Sequence, residues 1–165
     1  MSVEFSGPFP LTMPPLPWDG GCRCGETRIR VTLPPILTMA CHCAGCQSMT
    51  AAPYSLTMGI PADGFAVTKG ETVIGGMRED PKHHFCPVCM SWMFSRPDAV
   101  PHLIFLRPTM LDEHHWVAPF VECCTSERMP WAVTPARHSY EQFPPMEDYP
   151  GLIEAFQAQL HTGAD

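Results

Sequence analysis

Nine cysteines in 165 residues constrain this chain more than any other feature, because seven of them fall into three tight clusters. Cys22-Arg23-Cys24 comes first, Cys41-His42-Cys43-Ala44-Gly45-Cys46 follows, and Cys86-Pro87-Val88-Cys89 closes the set. No basic, apolar leader opens the chain: Met1 to Trp18 carries Pro8, Pro10, Pro14, Pro15 and Pro17 instead. The expected compartment is therefore the reducing cytoplasm, where clustered cysteines serve as metal ligands or redox groups more often than as disulfides. An odd number of cysteines also suits a disulfide framework poorly.

Twenty prolines argue against long helices and for short strands and turns. Alternation or continuous apolarity predicts strands over 27–33, 36–40, 55–60, 65–70, 72–74, 103–106 and 117–124. His83-His84-Phe85 leads into the Cys86/Cys89 turn and Ser91-Trp92-Met93-Phe94 leaves it, the pattern of a knuckle between two hairpin strands. One helix is expected, near the end: Leu152, Ile153, Phe156 and Leu160 share a face, with Asp148 or Pro150 at its start and Gly163 at its stop. Residues 1–17 read as a proline-rich arm, and 18–165 as a single domain.

Charge excludes some functions. The formal net charge is −7 and the ten lysines and arginines are scattered, so no nucleic-acid partner is expected. No apolar run reaches the length of a membrane span.

Cys22, Cys24, Cys86 and Cys89 supply two pairs of thiols far apart in sequence, the composition of a closed, structural zinc site. If residues 22–24 are extended, both sulfurs face one side. An ion there would join segments about sixty residues apart, and its binding free energy, on the order of 10 kcal/mol or more, would become folding free energy. The competing reading is a redox CxxC turn, but that expects a helix after the first cysteine. Pro87 and the β-prone Trp92-Met93-Phe94 oppose it.

Cys41, Cys43 and Cys46 offer three thiols, with His42 on the opposite side and a small Ala44-Gly45 turn returning Cys46. Three protein ligands leave a fourth position for water or substrate, the usual plan of a catalytic zinc. A fourth protein ligand would close the site; His42, Cys123, Cys124, His83 and His84 are the candidates. Cys123 and Cys124 are expected on opposite faces of a strand, as buried reduced thiols. His114-His115 reads as an exposed turn, and His84 as a hydrogen-bond partner of a metal-bound sulfur. Trp92, Trp116 and Trp131 read as core.

The pattern Gly21-Cys22-Arg23-Cys24-Gly25, Cys41-His42-Cys43-Ala44-Gly45-Cys46-Gln47 and Phe85-Cys86-Pro87-Val88-Cys89, with Pro130-Trp131 later, resembles the glutathione-dependent formaldehyde-activating enzymes and their centromere protein V relatives. The resemblance runs from Trp18 to the helix after Pro150. It implies a mainly β fold of tent-like antiparallel sheets built around zinc, with a short C-terminal helix. It implies two zinc ions per chain, one held by Cys22, Cys24, Cys86 and Cys89 and a catalytic one by Cys41, Cys43 and Cys46. The implied activity is a carbon–sulfur lyase adding the thiol of glutathione to formaldehyde. Arg78, Lys82, Arg96 and Arg107 are the cations available for glutathione's carboxylates. The alternative is a non-enzymatic, zinc-stabilised binding or scaffold module. One departure stands out: where the family usually has glycine after the second knuckle cysteine, this chain has Met90.

Overall fold

The computed structural model describes residues 12–76 and 80–162. The arm's first eleven residues, Arg78 and the expected helix stop at Gly163 lie outside that range. The fold is mainly β, with eleven strands and two helices among the described residues. Its backbone divides into two compact units, one built from residues 37–57 and 115–162, the other from 14–36 and 58–114.

The second unit is antiparallel throughout. Strands β1 (Trp18–Gly21), β2 (Arg28–Val31) and β5 (Phe65–Lys69) form a three-stranded sheet in the order β1-β2-β5. The alternation of Arg28-Ile29-Arg30-Val31 does what period-two patterning dictates: Ile29 and Val31 are wholly buried and Arg30 is exposed. β1 was not expected, because Gly20-Gly21 reads as a turn. Backbone crowding explains it, since a Cβ at Gly20 would lie 2.3 Å from the Met110 carbonyl oxygen. Glycine is needed there for close approach rather than for turning.

A second ladder in that unit starts with β4 (Ser55–Pro61), whose residues 58–61 pair with β9 (Leu103–Leu106). β9 pairs β8 (Trp92–Arg96), β8 pairs β7 (Lys82–Phe85), and β7 pairs β6 (Val73–Gly75). Met58, Ile60, Met93, Phe94, Ile104 and Leu106 fill its core, each at most 1% exposed, and Phe65 meets Phe94 edge to face at 4.8 Å. Burial of this kind contributes about 1.5–3 kcal/mol per large apolar side chain. The hairpin β7–β8 presents the Cys86/Cys89 turn at its tip, as the sequence predicts.

In the first unit, β3 (Leu37–Cys41) pairs in parallel with β10 (Val121–Cys123), and β10 in parallel with β11 (His138–Ser139). The sheets are thus mixed rather than purely antiparallel. Helix α2 (Tyr149–Thr162) buries Leu152 and Phe156, and Phe156 meets Phe120 at 5.4 Å. A shorter helix, α1 (Ala44–Thr50), occupies what the sequence suggested was a simple turn. Its gly-containing seven residues have little intrinsic helicity. Its ends are held instead: Cys43 caps one, left-handed Ala51 the other. The predicted strand 117–124 shrinks to three residues, because Pro119 cannot donate to a ladder and Cys124 turns left-handed.

Candidate metal centres

The first cluster lies wholly in the second unit. Cys22, Cys24, Cys86 and Cys89 place their sulfurs within 4.8 Å of one another. The Cys22–Cys24 separation is 3.5 Å and Cys24–Cys86 is 3.7 Å. A tetrahedral zinc with Zn–S bonds of about 2.3 Å needs sulfurs about 3.8 Å apart. Donor chemistry and spacing therefore fit a metal ion. The first pair is not extended as the sequence suggested. β1 stops at Gly21, and a turn closed by Gly25 N–H donating to the Cys22 carbonyl folds Cys24 back, with Gly25 at φ +76°.

Backbone amides serve these sulfurs. Thr27 N–H donates to Cys22 Sγ at 3.3 Å and Val88 N–H to Cys86 Sγ at 3.4 Å. Ser91 Oγ lies 3.2 Å from Cys89 Sγ. Burial opposes ionisation of Cys89, but the Ser91 hydroxyl and backbone, with Cys24, outweigh it and bring the thiol down to about 5. A Glu26 backbone hydrogen bond pulls Cys24 down, while burial and the neighbouring sulfurs push it up to about 12. Ser91 is a partner that sequence reasoning missed. His84, expected to serve a sulfur, instead shares a hydrogen bond with Thr72 Oγ1 at 2.8 Å and stacks on Phe94. Met90 is left-handed at φ 56°, the geometry that suits the family's glycine.

The second cluster lies wholly in the first unit. Cys41 ends β3, Cys43 caps α1, and Cys46 sits in its first turn. Their sulfurs also lie within 4.8 Å of one another, and this donor set too could hold a metal ion. Cys46 N–H donates to Cys43 Sγ at 3.3 Å. The loop is clamped from outside: Ala44 N–H donates to Glu127 Oε2 at 2.7 Å, and Gln47 Nε2 to the His42 and Glu127 carbonyls. The Cys41 thiol is pushed up, first by its hydrogen bond with Cys123 and then by burial. Cys46 is pushed up by Cys41 and by burial. A metal entering here displaces protons, so its affinity falls as pH falls.

Of the candidate fourth ligands, His42 does not join Cys41, Cys43 and Cys46 in their metal-ligand group. It is fully buried and donates from Nε2 to Glu122 Oε2 at 3.1 Å, while its buried Nδ1 has no hydrogen-bond partner among the described residues. Glu122, itself 6% exposed, also accepts from Arg128, Thr134 and Ser139. Burial resists its ionisation, yet the Thr134, Ser139 and His42 hydrogen bonds and the Arg128 charge hold its carboxyl below the usual range. This network under the cysteine loop was invisible in the sequence, because its members are spread over nearly a hundred positions. His83 bonds Ser95 Oγ within the other unit. Cys123 and Cys124 remain, and both join Cys41 in a further triad within 4.8 Å.

Trp116 is buried and Trp92 half-buried, but Trp131 is 70% exposed. It lines a 430 Å³ cleft with Gln47, Ser48, Ala51, Ala52, Pro53 and Met129, so it is not core. Lys82 is paired with Asp98, and Arg107 is buried with its guanidinium 4.0 Å from the centre of the Trp92 ring.

Residues 17–127 match the family of glutathione-dependent formaldehyde-activating enzymes. The chain belongs to that family. Membership ties it in general to formaldehyde activation and glutathione. A solved protein of Rhodobacter sphaeroides is similar in structure, with 21% identity and a TM-score of 0.46 over 57% of this chain and 87% of its own. No curated protein matches the chain in sequence. No helix among the described residues is long and apolar enough to cross a membrane.

Proposed function

We propose that this family member is a zinc-dependent carbon–sulfur lyase that adds the thiol of glutathione to formaldehyde or a similar small electrophile. In this reading Cys22, Cys24, Cys86 and Cys89 hold a structural ion, and Cys41, Cys43 and Cys46 hold the catalytic one. When bound, zinc supplies stabilisation of a substrate thiol in its nucleophilic thiolate form, which is scarce at neutral pH for a thiol with a pKa near about 8.5. The observation that carries the reading is the donor count, four sulfurs gathered in the first cluster and three in the second. The trio is half-exposed at Cys43 and Cys46, and it opens the helix whose next residues line the Trp131 cleft.

The chain's own residues do the positioning. Glu127 and Gln47 fix the loop, and Glu122 anchors His42 between the two ligand positions. The cleft's alanines, proline and tryptophan offer an apolar wall for a small electrophile beside the helix that carries Cys46. The unit holding the trio contains six carboxylates and two arginines, Arg128 and Arg137, among its described residues. Arg128 is already paired with Glu122. Glutathione, with its two carboxylates, is thus the stringent test of thiol identity.

The test is exchange spectroscopy on formaldehyde and its glutathione adduct. The expected result is interconversion faster than the uncatalysed rate, lost in Cys46→Ser while the fold persists. No acceleration by the zinc-replete protein contradicts the reading. A scaffold reading is favoured by one observation only, the approach of Cys124 to Cys41, because a permanently capped ion takes no substrate.

A further inference from the structure

Cys41 belongs to a second group, with Cys123 and Cys124, whose three sulfurs lie within 4.8 Å of one another. Neither Cys123 nor Cys124 joins Cys43 and Cys46 in a common group, so this is a separate triad that shares one corner with the trio. Two features of the backbone build it. β10 ends at Cys123, directly opposite Cys41 in the parallel register, so both side chains leave the same face of neighbouring strands about 4.8 Å apart. In a continuous strand Cys124 would point to the other face. It is instead left-handed at φ 56°, ψ 39°, and its sulfur returns to 3.9 Å from that of Cys41. Residues other than glycine seldom adopt this geometry. Here Cys124 N–H donates to the Gln142 carbonyl and Glu127 N–H to the Cys124 carbonyl, which holds the turn in place.

The triad differs from the trio in burial and in surroundings. Cys41, Cys123 and Cys124 are 9%, 0% and 3% exposed, whereas Cys43 and Cys46 are half-buried. No histidine or carboxylate joins the group among the described residues, and Met39, Cys43 and Cys46 pack against it. The donors are thiols, and a thioether lies beside them. Zinc takes four ligands, whereas this group offers three and is buried away from the water that would complete the shell. Thiolate and thioether surroundings select Cu(I), which is satisfied by three sulfurs. In a planar three-coordinate shell with bonds as long as those of zinc thiolates, sulfurs lie about 4.0 Å apart, close to the 3.9 Å between Cys41 and Cys124. The half-exposed trio supplies the entry path, with Cys41 as the pivot between the two groups.

We propose that Cys41, Cys123 and Cys124 form a buried three-sulfur site for Cu(I), which competes with the metal of the trio for Cys41. The site stands on the triad alone; the competition rests on the zinc-bearing trio of the lyase reading above. Loading exchanges one thiol proton, released to solvent, for one Cu(I), and no atom changes oxidation state. An ion that takes Cys41 leaves the trio with Cys43 and Cys46, too few sulfurs to keep its zinc. Cu(I) therefore switches the second centre off.

The experiment titrates Cu(I) anaerobically into the zinc-loaded full chain against bicinchoninate, a Cu(I) chelator. Copper is followed by X-ray absorption and released zinc by a chromogenic chelator. Wild type, Cys123→Ala, Cys124→Gly and the double variant Cys43→Ser/Cys46→Ser are compared; glycine suits the left-handed backbone. In wild type the first equivalent of copper should show three sulfurs and release one zinc. Cys123→Ala and Cys124→Gly should hold that copper at least about a hundredfold more weakly, beyond the roughly 10–100-fold that losing a supporting hydrogen bond costs a metal site, and should keep their zinc. The double variant lacks the trio and retains the triad. It should bind copper as wild type does and release no zinc, and it decides the matter should the other variants not fold. Copper lost or zinc released in the double variant, or copper held equally by Cys123→Ala and Cys124→Gly, overturns the site and leaves the lyase reading intact. A wild type with no zinc at the trio before titration overturns the competition and the lyase reading, while the copper site stands.

Discussion

The two cysteine clusters use the same donor atom and reach opposite ends. The quartet is drawn from two distant turns, and backbone amides point at its sulfurs. Its sulfurs bring residues 22–24 to the tip of the β7–β8 hairpin. The trio comes from one strand end and the first turn of one helix, already clamped by Gln47 and Glu127. In the proposed reading, removing an ion from the first would take away long-range folding free energy. Removing it from the second leaves a loop that hydrogen bonds still fix. In the proposed function the first set secures the fold and the second handles the substrate thiol.

The largest expected break in that comparison is Cys86→Ser against Cys46→Ser. An ion held by the quartet would contribute on the order of 10 kcal/mol, comparable to the whole stability of about 5–15 kcal/mol for a typical domain. Cys86→Ser should fail to give a cooperative melt by circular dichroism, while Cys46→Ser melts near wild type with one zinc fewer. Equal melting of the two would erase the distinction.

Next comes Glu122→Ala. It strips a buried carboxylate from His42, Arg128, Thr134 and Ser139, and should cost about 3–5 kcal/mol in denaturant unfolding. The pH dependence has a definite sign. Folding lowers this carboxyl's pKa, so its stabilisation is complete above the ordinary glutamate value of about 4.3 and is lost as pH falls through the lower folded value. Glu122→Gln should flatten that acid limb, and an unchanged limb would show that the network does not act through charge.

Met90→Gly sharpens the quartet's side. Met90 is 55% exposed and left-handed, so glycine removes strain and stabilises by about 1 kcal/mol, readable as a higher midpoint with zinc bound. A loss of stability would mean that the methionine packs usefully. The smallest effect is expected from Asp112→Ala, which breaks the exposed Arg28 pair at a cost of less than about 1 kcal/mol, shrinking further at high salt.

The sequence made the clusters legible because cysteine spacing is local and chemically specific. The sulfurs of each cluster converge, and the knuckle between β7 and β8 was readable from Phe85 to Trp92. Strands with strict alternation, such as Arg28–Val31, were equally plain. What stayed hidden depends on tertiary partners. α1 is capped locally by Cys43 and Ala51, and Glu127, some eighty residues on, takes its first amide, from Ala44. β1 exists because Gly20 lets the Met110 carbonyl approach. Parallel pairing of β3 with β10 leaves no local signature. Cys124 eluded a strand-based reading because one left-handed residue reverses which way a side chain faces. Trp131, read as core from its apolar character, lies exposed beside the cleft.

The most direct measurement is metal content during graded chelation, followed for wild type while the melt is recorded on the same samples. The account predicts two zinc ions per chain. One should be withdrawn early and exchange with added glutathione while the fold persists, and the other should leave only as the protein unfolds. Two ions lost together, or both retained and indifferent to thiol, would contradict it.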